Sequence, residues 1–154
     1  MLVVKKSLNS SVLLVQNNKK KEFILLGKGI GFGKRTGDII EDNNENQVFM
    51  PIEHKSTQKL VELIDSISEV YFELSQEIVS YAMKELNTHF QDSIYFLLTD
   101  HLNSAVDRYK NNIVICNRVY WEIKNFYPQE FNVGLYALDL LKARLQLDIP
   151  EDEA

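Results

Sequence analysis

Cysteine is nearly absent from these 154 residues: Cys116 stands alone, so no internal disulfide framework can form. A reducing, cytoplasmic setting follows as the default. Cys116 ends the apolar run Ile113-Val114-Ile115-Cys116, which predicts a buried filler rather than a nucleophile. Histidine is scarce too; His54, His89 and His101 have no metal-ligand spacing with each other or with Cys116, so no metal or other cofactor is expected. No stretch approaches the roughly 20 apolar residues of a membrane span, and the opening Met1–Lys6 places its charges after a very short apolar run, unlike a signal peptide. No membrane insertion is expected. Acidic residues abound, yet none pair as a defensible acid and base, and no nucleophile–base pair is visible; no catalytic residue is assigned. Glycine is also sparse, at six residues, and four of them are crowded into one place.

That place is Gly27-Lys28-Gly29-Ile30-Gly31-Phe32-Gly33-Lys34, with glycine at every second position. The spacing excludes a P-loop, which would need glycine at position 28 and a hydroxyl at position 35, where Lys28 and Arg35 stand. It excludes the dinucleotide fingerprint for the same kind of reason. Period two is strand geometry. If the run is extended, one face is bare backbone and the other carries Lys28, Ile30, Phe32 and Lys34. Stripped backbone, two cations and a ring suit a partner bearing phosphates and bases. On the residues alone, a tight connection between strands fits as well.

The net charge of -5 conceals a division. Residues 1–40 carry eight Lys and Arg against two acids, a net of +6; residues 56–154 carry eight against sixteen, a net of -8. Such a sign change suggests two modules with different partners, the basic one suited to a polyanion. Patterning divides the chain in the same way. Leu2–Val4, Val12–Val15, Glu22–Leu26 and Val48–Met50 are short strand-like runs between turn formers. Beyond Pro51 the period becomes helical: a helix capped by Ser56-Thr57 with Leu60, Leu63, Ile64 and Ile67, then stretches over 75–86, 93–110 (with Ile94, Leu97, Leu98, His101, Leu102 and Ala105 at helical spacing), 118–126 and 129–147. The predicted fold is α+β and multidomain, a small antiparallel sheet followed by an all-α bundle. A β module of this size is marginal alone, which favours a homodimer through the sheet.

These segments resemble the transcriptional antiterminators of the BglG/SacY type. Lys6-Ser7-Leu8-Asn9 leading into Val12–Val15, and Gly27–Lys34 followed by Gly37-Asp38, resemble the family's RNA-binding co-antiterminator domain. Leu98-Thr99-Asp100-His101-Leu102, with Arg108 beyond, resembles the regulation domain of the sugar phosphotransferase system. The wording of the glycine run is most like the glucose-responsive members. The resemblance implies an RNA-binding domain over residues 1–52, a linker over 53–57 and a regulation domain over 58–154. It implies a protein that dimerises, holds a leader-RNA hairpin folded so that a terminator cannot form upstream of sugar-transport genes, and answers to histidine phosphorylation. Implied partners are that messenger RNA hairpin, a second copy, and phosphotransferase proteins: the sugar-specific enzyme II, the phosphocarrier HPr, or both. No catalysis is implied. An interaction module that responds to phosphorylation without touching RNA is the alternative.

Carried over residue by residue, the implied RNA contacts are Lys6, Asn9, Ser11, Gly27, Lys28, Gly29 and Phe32. Phe32 can stack on a base, Lys6 and Lys28 can meet phosphates, and Asn9 offers both a donor and an acceptor. Phe32 as a hydrophobic dimer contact and Asn9 as a plain turn residue are the competing readings. Where the family has three successive asparagines, this chain has Asn9-Ser10-Ser11. His101 is the implied phosphorylation site and Arg108, two turns along, its implied phosphoryl partner. His54 and His89 do not match the place of a second regulatory histidine, which is expected after Ala154. Pro150 and the acids Glu151–Glu153 look like a first helical turn, so the chain reads as a piece truncated before that helix.

Overall fold

The computed structural model describes residues 1–41, 48–53 and 57–154. His54 and Ser56 lie outside them. Two compact units form, Met1–Glu73 and Leu74–Ala154.

The first unit is built on a five-stranded antiparallel sheet. Its strands are β1 (Leu2–Asn9), β2 (Val12–Asn17), β3 (Glu22–Leu26), β4 (Ile39–Ile40) and β5 (Val48–Ile52), in the order β4-β1-β2-β3-β5. The central strand β2 is apolar without alternation, and Val12, Leu13, Leu14 and Val15 are all buried. Such a run belongs to a strand covered on both faces. One face gathers Leu2, Val4, Leu13, Val15, Leu25 and Ile40, with Phe23 and Ile30 packed against it. β4 is only two residues long, too short to leave a periodic trace in the sequence. It pairs Ile39 and Ile40 with Val3 and Leu2. The Lys19–Lys21 turn between β2 and β3 is held by Asn17, whose side-chain oxygen accepts from the amides of Lys19 at 2.9 Å and Lys21 at 3.0 Å. Two helical pieces complete the unit: α1 (Thr57–Ser66), which lies against β1, and the first turn of α2 (Glu69–Leu86).

β1 does not pair regularly with β2. The register slips between Val4 and Lys6 and again between Ser7 and Asn9. Lys6 lies opposite Leu14 and Asn9 opposite Val12. Directly opposed residues share a face, and Leu14 and Val12 are two apart. The second irregularity therefore turns Lys6 and Asn9, three apart in sequence, to the same side, which a regular strand would forbid.

The second unit comprises the rest of α2, then α3 (Ile94–Lys110), α4 (Tyr120–Phe126), α5 (Pro128–Leu145) and a 3-10 turn at Glu151–Glu153. Asn87, Asn112 and Gln146 follow the ends of α2, α3 and α5 with φ of 46°, 56° and 56°, the left-handed stop that ends many helices. Pro128 opens α5 at a position where its missing N–H costs nothing. Thr99 and Ser75 are buried with their hydroxyls 2.8 Å apart, and Thr99 also donates to the Tyr95 carbonyl at 2.6 Å. Tyr81 and Tyr136 stack with centroids 3.8 Å apart, and Arg144 pairs with Glu77.

Candidate RNA interface and histidine site

The glycine run is not an extended strand. The amides of Ile30, Phe32 and Lys34 donate to the carbonyls of Gly27, Gly29 and Gly31 at 3.1, 3.1 and 3.2 Å, a chain of tight turns. Gly29 and Gly33 have φ of 73° and 69°, a region that costs an L side chain about 1–2 kcal/mol. The alternation that reads as strand therefore serves a loop that repeatedly reverses itself. It is not uniformly bare: Gly27 and Gly31 are buried, while Gly29 and Gly33 are exposed.

The loop is stitched to the β1–β2 turn. The Gly27 amide donates to the Ser11 carbonyl at 2.9 Å and the Gly31 amide to the Ser10 carbonyl at 2.8 Å. A Cβ at Gly31 would stand 2.2 Å from the Asn9 carbonyl oxygen, a backbone atom that cannot swing aside. The Ser7 hydroxyl donates to the Gly31 carbonyl at 3.3 Å. Gly31 is thus a site-building residue, signalled in the sequence only by its place in the glycine run.

The expected RNA contacts divide into two groups. Lys28, Gly29 and Phe32 stand on the open side of the loop, and Phe32 is 82% exposed, a high value for an aromatic ring. The others are engaged. The Asn9 side-chain oxygen accepts from the Ser11 amide at 2.8 Å, so Asn9 also works as a turn residue. Ser11 is buried. Its hydroxyl is 3.2 Å from a Glu69 carboxylate oxygen and 3.4 Å from one of Glu73, and the Ser10 hydroxyl also donates to Glu69. Lys6 is exposed and stands 3.8 Å from an Asp65 carboxylate oxygen. Asp65, Glu69, Glu73 and Ser10 were not legible as participants, because nothing local in sequence links a β-turn to helical acids more than fifty residues away.

His101 is exposed on α3 and Asp100 beside it is exposed as well. The buried stripe of α3 is Tyr95, Phe96, Thr99, Leu102, Ala105 and Val106. The predicted stripe, which runs through Leu97 and His101, is therefore displaced: Leu97 is 65% exposed. His101 borders an apolar groove of about 250 Å3, with Leu98 and Ala105 of its own helix, Gly134 of α5 and Glu153 among the lining. Arg108 is already occupied. Its Nη2 donates to both Glu153 carboxylate oxygens, at 2.9 and 3.1 Å, and its Nε to one of them at 3.3 Å. This is the bidentate grip by which arginine also takes phosphate. Gly134 holds the same terminal turn close, since a Cβ there would stand 2.5 Å from the Ala154 backbone. His89 is exposed. Cys116, expected inside, is exposed: the run that carries it follows the end of α3 and joins no helix or strand, so its apolar character buys no burial. Among the described residues no group of three or more His, Cys, Asp or Glu could hold a metal ion, and no helix is long and apolar enough to cross a membrane.

A sheet presenting a glycine-rich loop is thus followed by a helical module in which an exposed histidine borders a groove lined by the carboxylate that Arg108 holds, a chain of two distinct parts. Comparison with known proteins gives the parts their names. The CAT RNA binding domain matches residues 2–58 and the PRD domain matches residues 76–154, so the chain belongs to the PRD family and carries a CAT domain ahead of its PRD. Transcription antiterminator LicT of Bacillus subtilis is 36% identical over 98% of this chain and 54% of its own length. The beta-glucoside operon antiterminator of Dickeya chrysanthemi is 33% identical, over 98% of this chain and 53% of the relative. Protein GlcT of Staphylococcus haemolyticus is 29% identical over 97% and 53%. The chain spans about half the length of these curated relatives. Among solved structures, a crystal structure of GlcT CAT-PRDI superimposes with a TM-score of 0.86 at 29% identity, covering 99% of this chain and 90% of that one.

Proposed function

We propose that this chain is the RNA-binding and first regulatory part of a transcriptional antiterminator. It grips a leader-RNA hairpin upstream of sugar-transport genes and prevents the overlapping terminator from forming. Control comes through phosphorylation of His101 by phosphotransferase components, HPr or a sugar-specific enzyme II, and the RNA-binding form is a homodimer. The observation that carries the reading is the loop of Lys28, Gly29 and Phe32, held rigidly against the β1–β2 turn while its ring points to solvent. An exposed ring on a stiff base is costly to leave in water and well suited to stack on an unpaired base. Two of the three curated relatives, those of Bacillus subtilis and Dickeya chrysanthemi, carry the word antiterminator in their names, and the CAT domain is an RNA-binding domain by description.

The test is an electrophoretic mobility shift with hairpins from the leader of the neighbouring sugar-transport transcript. Phe32→Ala should weaken specific binding by roughly 1–3 kcal/mol, about 5- to 150-fold. His101→Ala should abolish phosphate uptake from phosphorylated HPr or enzyme II and leave RNA binding intact. Unchanged RNA affinity after removal of both Lys28 and Phe32 side chains would overturn the RNA reading in favour of a purely protein-binding module.

A further inference from the structure

Three carboxylates converge on groups that the RNA reading requires. Asp65 of α1 faces Lys6 at 3.8 Å. Glu69, in the first turn of α2, takes the Ser10 hydroxyl, and Glu69 and Glu73 both reach the Ser11 hydroxyl, at 3.2 and 3.4 Å. A hydroxyl has one proton, so Ser11 serves one of these carboxylates at a time. Two acids one turn apart around one donor repel each other, which is a poor way to secure a turn if anchoring is the only purpose. The segment that carries all three, 59–75, falls between the regions matched by the two domain families.

Carboxylate and phosphate are anionic acceptors that draw on the same donors. A backbone phosphate approaching Lys6, Ser10 and Ser11 would meet three negative charges already in place, and Ser11 has no exposed surface to offer. We propose that Asp65, Glu69 and Glu73 form an internal latch, which occupies the β1–β2 turn in the place of RNA phosphate and must withdraw before the full RNA face is available. The inference rests on the RNA reading above. The latch lowers apparent affinity by the fraction of molecules in which it is open, since only those bind fully.

The experiment uses the full chain and a fluorescein-labelled RNA hairpin selected in vitro on the wild-type chain, read by fluorescence anisotropy. E69Q/E73Q keeps an oxygen acceptor at each position and removes both charges. E62Q/E85Q removes the same charge from exposed positions on α1 and α2 and serves as the control. The latch predicts that E69Q/E73Q binds about tenfold tighter, with faster amide hydrogen exchange at residues 9–12 in the absence of RNA, while the control shifts affinity less than about twofold. Equal affinity for E69Q/E73Q and its control overturns the latch and leaves the RNA reading standing. Failure of the wild-type chain to select any RNA overturns both. Should E69Q/E73Q lose its folded far-UV spectrum, D65N carries the test, because its partner Lys6 is on the surface; a gain larger than that of E62Q/E85Q supports the latch and no larger gain overturns it.

Discussion

At Arg108 and Glu153 one ion pair decides what a phosphoryl group on His101 would encounter. Glu153 lines the groove that His101 borders, and the same carboxylate fills the guanidinium fork of Arg108. A phosphoryl group brings about -1.5 to -2 charges and three strong acceptors into that groove. It competes with Glu153 for Arg108 and repels it. Glu153→Gln should therefore make phosphorylated His101 longer-lived by a factor of a few, seen as slower loss of the shifted band on phosphate-affinity gels. Equal lifetimes would show that Arg108 never reaches the phosphoryl group. Gly31 and Gly33 offer a second contrast. Alanine at Gly31 meets the Asn9 carbonyl at 2.2 Å and must tear the loop from the turn, whereas alanine at Gly33 meets nothing and pays only for its φ of 69°. We expect Gly31→Ala to cost about 2–4 kcal/mol and Gly33→Ala about 1–2 kcal/mol by denaturant unfolding, with equal costs refuting the clamp. At this scale the sequence is a good guide to residue type and a poor one to surroundings. Phe32 and Lys28 stand out from their neighbours alone. That Ser11 is sealed under Glu69 and Glu73, or that Cys116 is outside, depends on partners a strand or helix away.

Elements were legible in proportion to their length and periodicity. The pattern predicts a helix over 93–110, and α3 runs Ile94–Lys110. Strands β1, β2 and β3 fall where the apolar runs do. α2 begins at Glu69, six residues before its predicted start, because Val70, Tyr71 and Phe72 interrupt no helix yet carry bulky or β-branched side chains that read ambiguously. The glycine run misleads for a specific reason: without Cβ atoms, period two has no pleat to enforce, and the backbone is free to turn at Gly29 and Gly33 instead. On α3, rotating the buried stripe by one position moves Leu97 and His101 outward and brings Tyr95 and Phe96 in. That rotation has a titratable consequence. Burial, and secondarily the charge of Asp92, push the Tyr95 phenol above its ordinary value of 10.0. The fold favours the neutral ring, so its contribution to stability is fully present below pH 10 and is lost as pH rises through the raised value. Tyr95→Phe should flatten that part of the alkaline decline, measured as urea midpoints at pH 9, 10 and 11. A decline above pH 10 identical to wild type would mean the ring is wet.

Across the whole chain the opposite signs of the two charge blocks govern how RNA is met. Residues 1–40 carry +6 and residues 56–154 carry -8. At about 0.01 M salt the screening length is near 30 Å, and an approaching polyanion feels both blocks of the same molecule; at about 0.15 M it falls to near 8 Å and only the local face counts. A protein with a uniformly basic surface loses association rate steadily as salt rises. Here the whole chain carries a net charge of -5, so added salt screens a repulsion of the polyanion as well as the attraction of the basic residues. The association rate constant for a leader hairpin should therefore vary less than about threefold between 0.01 and 0.1 M salt, while release of counterions still makes overall affinity fall, through dissociation. Stopped-flow mixing with labelled RNA measures both rates. A steep, monotonic fall in association over that range would mean that the acidic block is not felt by the incoming RNA, and that the basic loop alone steers the encounter.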